Sequence, residues 1–178
     1  MRIISGKFRG RIFRPGKSFK ARPTTDFARE NLFNILIHRL DFDDLKILDL
    51  FSGTGSISFE FASRGCSDIT CVEYDSKHYR FIRSVIEKLE LNEAIRAVRA
   101  DVFRYIGKST GKFDIIFADP PYDLGRIDEI PDLIFNNGMV NADGIIILEH
   151  GKSNNFKNHP KFQEMRTYGS VHFSFFKE

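Results

Sequence analysis

From Lys46 to the carboxyl end, short apolar runs alternate with segments of helical periodicity, and this alternation restricts the possible folds more than any other feature. Strand-length runs fall at Ile47 to Leu50, Ile69 to Glu73, Ala97 to Ala100, Phe113 to Ala118 and Gly144 to Glu149. Between them, Ile57 to Arg64, a longer stretch with Tyr79, Ile82, Ile86 and Leu89 on one face, and Ile127 to Phe135 read as helices. Parallel strands cannot be joined by a tight turn, so each pair needs a crossover, which a helix supplies. The pattern therefore predicts βαβ units, a parallel sheet and the α/β class. At the carboxyl end, Met165 to Tyr168 and Val171 to Phe175 flank Gly169-Ser170, a pair suited to a two-residue hairpin, so an antiparallel pair is expected at one sheet edge.

Ahead of this body, Thr24-Thr25-Asp26 can cap a helix in which Phe33, Leu36, Ile37 and Leu40 keep the helical period. Arg2 to Gly6 and Phe8 to Phe13 read as a glycine-turned hairpin ending at Pro15-Gly16. Residues 1–22 hold eight cations (Arg2, Lys7, Arg9, Arg11, Arg14, Lys17, Lys20 and Arg22) and no acid. The other 19 of the 27 cations meet 24 acids, so the rest of the chain is net −5. A basic arm, residues 1–22, on a mildly acidic body, residues 23–178, suits a polyphosphate backbone, through counterion release. A solvated charged terminus fits the charge cluster as well.

A chain of 178 residues, 42% of them hydrophobic, can bury one core, and it has no apolar run near the roughly 20 residues of a membrane helix. A soluble, cytoplasmic protein without a membrane partner is expected. Cys66 and Cys71 lack partners at metal-ligand spacing, and the five histidines (38, 78, 150, 159 and 172) show no zinc-like pattern, so no metal is expected.

Asp49-Leu50-Phe51-Ser52-Gly53-Thr54-Gly55 follows an apolar strand and opens a helix, where glycines let backbone approach a ligand. The next strand ends in Glu73, 24 residues after Asp49, placed to accept from both hydroxyls of a ribose. Asp101 follows a third strand and could take the amino group of an adenine. The nucleoside cofactor is not a dinucleotide, because Ser58 stands where the third glycine would be, and no P-loop lysine is present. An acid at the head of the turn, Asp49, would repel a pyrophosphate but could accept from an amino acid ammonium group. S-adenosyl-L-methionine, which carries adenosine, a sulfonium and an amino acid end but no phosphate, fits these residues. The bland alternative is a tight strand-to-helix turn.

Phe113 to Ala118 leads straight into Asp119-Pro120-Pro121-Tyr122, at the sheet edge where ligands of open α/β sheets bind. An exocyclic amino nitrogen on a base is a poor nucleophile because its lone pair is delocalised. If Asp119 and the Pro120 carbonyl each accept one of its N–H bonds, the lone pair turns out of conjugation toward a methyl donor. Tyr122 offers a flat face for an unstacked base. An ordinary strand-ending turn is the competing reading.

Together with Arg2-Ile3-Ile4-Ser5-Gly6-Lys7-Phe8-Arg9-Gly10 and Arg22-Pro23-Thr24-Thr25-Asp26, these motifs resemble the bacterial small-subunit ribosomal RNA guanine-N2 methyltransferases, the RsmD family. The resemblance spans essentially the whole chain, although the aspartate-proline-proline-aromatic motif is shared with many amino-group methyltransferases. It implies a Rossmann-like class I methyltransferase core with a mostly parallel seven-stranded sheet, S-adenosyl-L-methionine as cofactor, and 16S ribosomal RNA as partner in an assembling or assembled small subunit. It further implies that Asp49, Phe51, Gly53 and Gly55 line the cofactor turn, that Glu73 holds the ribose and that Asp101 and Val102 meet the adenine. Ser52 and Tyr74, beside them, and Asp119 are counted with the cofactor contacts. Asp119, Pro120 and Tyr122 are the expected catalytic group. Arg2, Lys7, Arg9, Arg11, Arg22, Thr24, Pro121 and Tyr122 are the expected RNA contacts. Tyr122 stands where relatives often have phenylalanine, and both rings stack. Three readings stay open at this level: guanine-N2 transfer, adenine-N6 transfer on DNA or RNA, and a binding module of the same fold without turnover. A monomer is expected.

Overall fold

The computed structural model describes residues 1–16 and 25–178. The first helix, α1 (Asp26–Ile37), precedes an alternation of β1 (Lys46–Leu50), α2 (Ser56–Ser63), β2 (Asp68–Glu73), α3 (Ser76–Leu89), β3 (Ile95–Arg99), α4 (Val102–Ile106) and β4 (Phe113–Ala118). A 3-10 turn (Ile127–Glu129), α5 (Ile130–Asn136), β5 (Val140–His150), β6 (Phe162–Tyr168) and β7 (Val171–Lys177) complete it. The seven strands form one sheet in the order β3-β2-β1-β4-β5-β7-β6. Strands β1 to β5 run parallel, and β7 is antiparallel to both β5 and β6. The chain runs outward from β1 to β3 and then returns to β4 on the other side of β1, which opens a crevice at the carboxyl ends of β1 and β4.

The sheet separates two apolar layers, and strand alternation sends successive side chains to opposite ones. Ile47 faces the layer that holds α1, α2 and α3, while Leu48 and Leu50 face the layer of α4 and α5. Helix α3 shows the sequence logic most simply: Asp75 accepts from the Lys77 and His78 amides as N-cap, and Ile82, Val85, Ile86 and Leu89 form the buried stripe. Burial of each such side chain is worth roughly 1.5–3 kcal/mol.

Several expectations change: β3 spans Ile95–Arg99 and not Ala97 to Ala100, β5 starts at Val140 and not at Gly144, and the stretch from Ile127 opens with a 3-10 turn before α5. Helix α1 is capped by Thr25, whose Oγ1 accepts from the Ala28 amide at 3.2 Å, but it stops at Ile37, which is 56% exposed. Its buried side is Ala28, Arg29, Leu32, Phe33 and Leu36, because Phe33 is drawn into an aromatic cluster with Phe42 and Phe61, its ring centroid 4.7 Å from that of Phe61. Leu40 lies beyond the helix, partly buried against the same core. The amino-terminal hairpin is also not a two-stranded ladder. Only Arg2 and Ile12 form a bridge, framed by Ile3 N–H to Arg11 O at 3.0 Å and Phe13 N–H to Met1 O at 2.9 Å.

The arm forms so little ladder because its amides serve α2 instead. Lys7 N–H donates to Ser63 O at 2.7 Å, Phe8 N–H to Ser63 Oγ at 3.0 Å, and Ile4 N–H to the Glu60 carboxylate. Ser63 Oγ returns a bond to Ser5 O. With the sheet beneath and the arm above, every residue of α2 is buried, including Glu60, which Arg64 pairs. Gly6 makes the close approach possible: its φ is +79°, and a Cβ there would lie 1.8 Å from Ser63 O. Ile3 and Phe8 thereby join the core.

Candidate active site

A cavity of about 660 Å³ occupies the crevice, bounded by the loops that leave β1, β2, β3 and β4, by Glu149 near the end of β5 and by the turn between β6 and β7. The turn after β1 is built from three left-handed residues, Phe51 (φ 59°), Gly53 (φ 54°) and Gly55 (φ 73°). Ser52 ties it down, its amide donating to Val72 O at 3.1 Å and its hydroxyl to Asp49 O at 2.7 Å. Gly55 is required by packing as well as φ, since a Cβ would sit 2.8 Å from the Phe59 ring. Phe51 has no such freedom, and a non-glycine residue held there stores strain of about 1–3 kcal/mol, a cost that concentrates at ligand sites.

Glu73 ends β2 and organises both neighbouring loops. Its Oε2 accepts from the Gly53 amide at 2.8 Å and its Oε1 from the Asp75 amide at 2.7 Å, with His78 Nδ1 3.8 Å away. Tyr74, 71% exposed, stands on the rim. Asp49 also lines the cavity, but its Oδ2 accepts from Ser58 Oγ at 2.6 Å and Ser58 N–H at 3.3 Å, so it anchors the start of α2. Loss of solvent pushes its carboxyl up to about 7, against the Ser58 hydrogen bonds and with the nearby Glu73 charge adding to the rise.

On the opposite wall, Asp101 Oδ1 accepts from the Arg104 amide at 2.9 Å and caps α4, a five-residue helix that the apolar periodicity does not reveal. This places buried Val102 and the Phe103 ring in the cavity wall, with Phe51 meeting Phe103 edge to face and the Arg126 guanidinium 4.4 Å from its centroid.

The turn after β4 forms the third side. The Asp119 amide donates to Leu50 O at 3.3 Å, which couples it to β1. Pro120 is buried, Pro121 is exposed, and Tyr122 is 44% exposed with its hydroxyl donating to Glu149 Oε1 at 3.2 Å. The glycine turn from Phe51 to Thr54, Glu73, Asp101 and Asp119-Pro120-Pro121-Tyr122, predicted separately, thus border one cavity, while Gly55 packs against Phe59 and Ile82 instead. Sequence reasoning missed Glu149, Phe103, His78, Thr25 and Val171, which line it too. For Glu149 a signal existed: an acid closing the buried run Ile145 to Leu148, as Asp119 closes its own strand.

Of the expected RNA contacts, Pro121 and Tyr122 line the cavity and the arm cations lie elsewhere. Arg2 pairs with Asp26 at 3.0 Å, Lys7 and Arg11 sit over the Phe8 ring, and Arg9 is exposed on the same arm. None of these four lines the cavity. Arg22 and Thr24 lie outside the described residues. Cys66 and Cys71 are buried, and burial raises both thiols, that of Cys66 to about 12. Among the described residues, no helix is long and apolar enough to cross a membrane, and no three metal-ligating side chains cluster.

Residues 1–177 match the family described as Conserved hypothetical protein 95. The chain is 31% identical, over 160 residues, to the Ribosomal RNA small subunit methyltransferase D of Escherichia coli (strain K12), covering 90% of this chain and 79% of that protein. The solved structure of a hypothetical protein from Thermus thermophilus superposes with a TM-score of 0.85 at 27% identity, covering 100% of this chain and 99% of the other. A precorrin-6y C5,15-methyltransferase from Geobacter metallireducens GS-15, at 19% identity, shares the fold with a TM-score of 0.70, covering 93% of this chain and 94% of the other. The architecture is that of the Rossmann-like class I methyltransferases.

Proposed function

Because the chain belongs to the Conserved hypothetical protein 95 family, the RsmD family, we propose that it transfers a methyl group from S-adenosyl-L-methionine to the exocyclic N2 of a guanine in 16S ribosomal RNA. One observation carries the reading: the Asp119-Pro120 turn and the Tyr122 ring border the same cavity as the glycine turn and Glu73, so a base and a nucleoside cofactor can meet in one enclosure.

The cavity suits S-adenosyl-L-methionine. Glu73, at the end of β2, puts a carboxylate where a phosphate-bearing cofactor would be repelled, and the Val102 and Phe103 wall is apolar enough for an adenine. When bound, that cofactor supplies an electrophilic methyl group on a sulfonium. Everything else falls to the chain. Glu73, held by the Gly53 and Asp75 amides, has its carboxylate at the cavity for a ribose. Tyr122 gives a base a stacking surface. Asp119 and the Pro120 carbonyl accept the two amino hydrogens of the base, turning its lone pair toward the methyl carbon. With a methyl group supplied in this way, the chain's part would be to hold the nucleophilic nitrogen and to take, through its hydrogen bond to Asp119, the one proton the nitrogen gives up. Such catalysis is mainly positional, a source worth up to roughly 7–11 kcal/mol of barrier.

The partner in this reading is small-subunit RNA in an assembling or assembled particle, approached by the arm that bears Lys7, Arg9 and Arg11, and the acting species is a cytoplasmic monomer. The test incubates the protein with methyl-labelled cofactor and small subunits from cells lacking the activity, then identifies the labelled nucleoside after digestion. N2-methylguanosine is expected. N6-methyladenosine would keep the chemistry and overturn the substrate, and no label on subunits, naked RNA or DNA would leave only a binding module.

A further inference from the structure

The gripping of an amino group by Asp119 and the Pro120 carbonyl does not distinguish guanine from adenine, since N2 of one and N6 of the other present the same pair of hydrogens. The difference lies one atom away. Guanine carries a donor, N1–H, next to its amino group, whereas adenine carries an acceptor, N1. An enzyme selective for guanine therefore needs an acceptor beside the amino-group site, and an anionic one would also repel the adenine lone pair.

Glu149 is placed for this. Strands β4 and β5 pair in parallel with Ala118 opposite Leu148, so the next residues, Asp119 and Glu149, leave adjacent strands side by side at the carboxyl edge. Neighbouring strands lie about 4.8 Å apart, so two carboxyl side chains leaving adjacent strands can converge on neighbouring atoms of one base edge. Both residues line the cavity, and Glu149 is 3% exposed. Its orientation is set from the stacking side: the Tyr122 hydroxyl donates to Oε1 at 3.2 Å, and Gly151 leaves room for the ring, since a Cβ there would come within 3.3 Å of it. A carboxylate has acceptor positions for several donors at once, so one such group can serve a tyrosine hydroxyl and a base donor together.

We propose that Glu149 is the specificity-determining residue of the base pocket, accepting from N1–H of the target guanine while Asp119 and the Pro120 carbonyl hold its amino group. The inference rests on the guanine reading above. A charge-assisted bond made in a site shielded from water is lost when the partner atom becomes an acceptor, and sites built to hydrogen-bond a substrate group reject analogues that lack it.

The test uses the full-length protein with S-adenosyl-L-methionine and small-subunit RNA in which the methylated guanine, once mapped, is replaced by 2-aminopurine. That base keeps the amino group at C2 but has an acceptor at N1. Wild-type protein should methylate the guanine substrate with kcat/KM roughly 10- to 100-fold above the 2-aminopurine substrate, as expected for loss of one charged hydrogen bond. Glu149→Gln, nearly isosteric and able to donate as well as accept, should lower guanine kcat/KM by a similar factor and bring the two substrates within about 3-fold of each other. Cofactor Kd and Tm should stay near wild type, which separates selection of the base from a structural role. If Glu149→Gln keeps the wild-type preference, or loses cofactor binding in step with activity, the assignment of Glu149 is overturned. If wild-type protein instead yields N6-methyladenosine, the guanine reading itself has failed.

Discussion

Replacing Asp49 by asparagine should change how stability depends on pH. The carboxyl of Asp49 is fully enclosed, and loss of solvent raises it from 3.8 to about 7. The folded protein therefore keeps this proton up to about pH 7, whereas the unfolded chain releases it near pH 4. Between those values the folded state binds more protons, so stability falls as pH rises through the window, by about 4 kcal/mol in total. Asparagine cannot titrate. Its Oδ1 can still accept from Ser58 Oγ and the Ser58 amide, while its NH2 enters the site without a matched acceptor, a constant penalty of about 1–3 kcal/mol. The variant should thus be close to wild type near pH 5 and more stable by about 1–3 kcal/mol at pH 8. Urea unfolding of both proteins at the two pH values isolates the effect, because all other groups titrate alike in each. The difference in unfolding free energy should change by about 2–3 kcal/mol between pH 5 and pH 8. A difference that stays constant would refute the argument and mean that Asp49 is ionised throughout.

Asp119→Ala should abolish methyl transfer while cofactor Kd, read by isothermal titration, moves less than about 3-fold, because the carboxylate acts on the base; joint loss of cofactor binding would reassign it. Gly6→Ala forces a Cβ against Ser63 O at a left-handed φ and should cost about 2 kcal/mol, lowering Tm by roughly 4–8 °C in calorimetry and exposing the arm to limited proteolysis. An unchanged Tm would mean that the arm contributes no stability. Neutralising Arg9 and Arg11 together should reduce the salt dependence of RNA binding by about 1.4 in the log–log slope, as for two lost phosphate contacts on a single strand. An unchanged slope would return the arm to a merely solvated terminus.

The βαβ order, the presence of each parallel strand and the two loop motifs can be read from the chain, because each is a local property. Period-2 and period-3.6 apolar patterns identify elements from their own residues, and the glycines before α2 and the prolines after β4 mark turns by their own backbone limits. Phe113 to Ala118 is legible to the residue as β4, and Gly169-Ser170 as the β6–β7 turn. What depends on neighbours distant in sequence is not. The amides of the arm could have closed a hairpin on themselves, and only the presence of Ser63 and Glu60 on α2, more than 50 residues away, turns them outward. Which side of α1 is buried depends on where Phe42 and Phe61 stand. Helix α4 is a single turn held by one cap and is too short to show a period. Asp49 is recognisable as a site residue from its motif, yet its bonds to Ser58 and its retained proton follow from enclosure. Glu149 becomes part of the site only through the register of β5 against β4. Sequence by itself determined the elements and their chemistry, since those reside in consecutive residues; tertiary structure decided which groups lose water and which carboxylates stand together, since desolvation and strand register belong to the packed sheet.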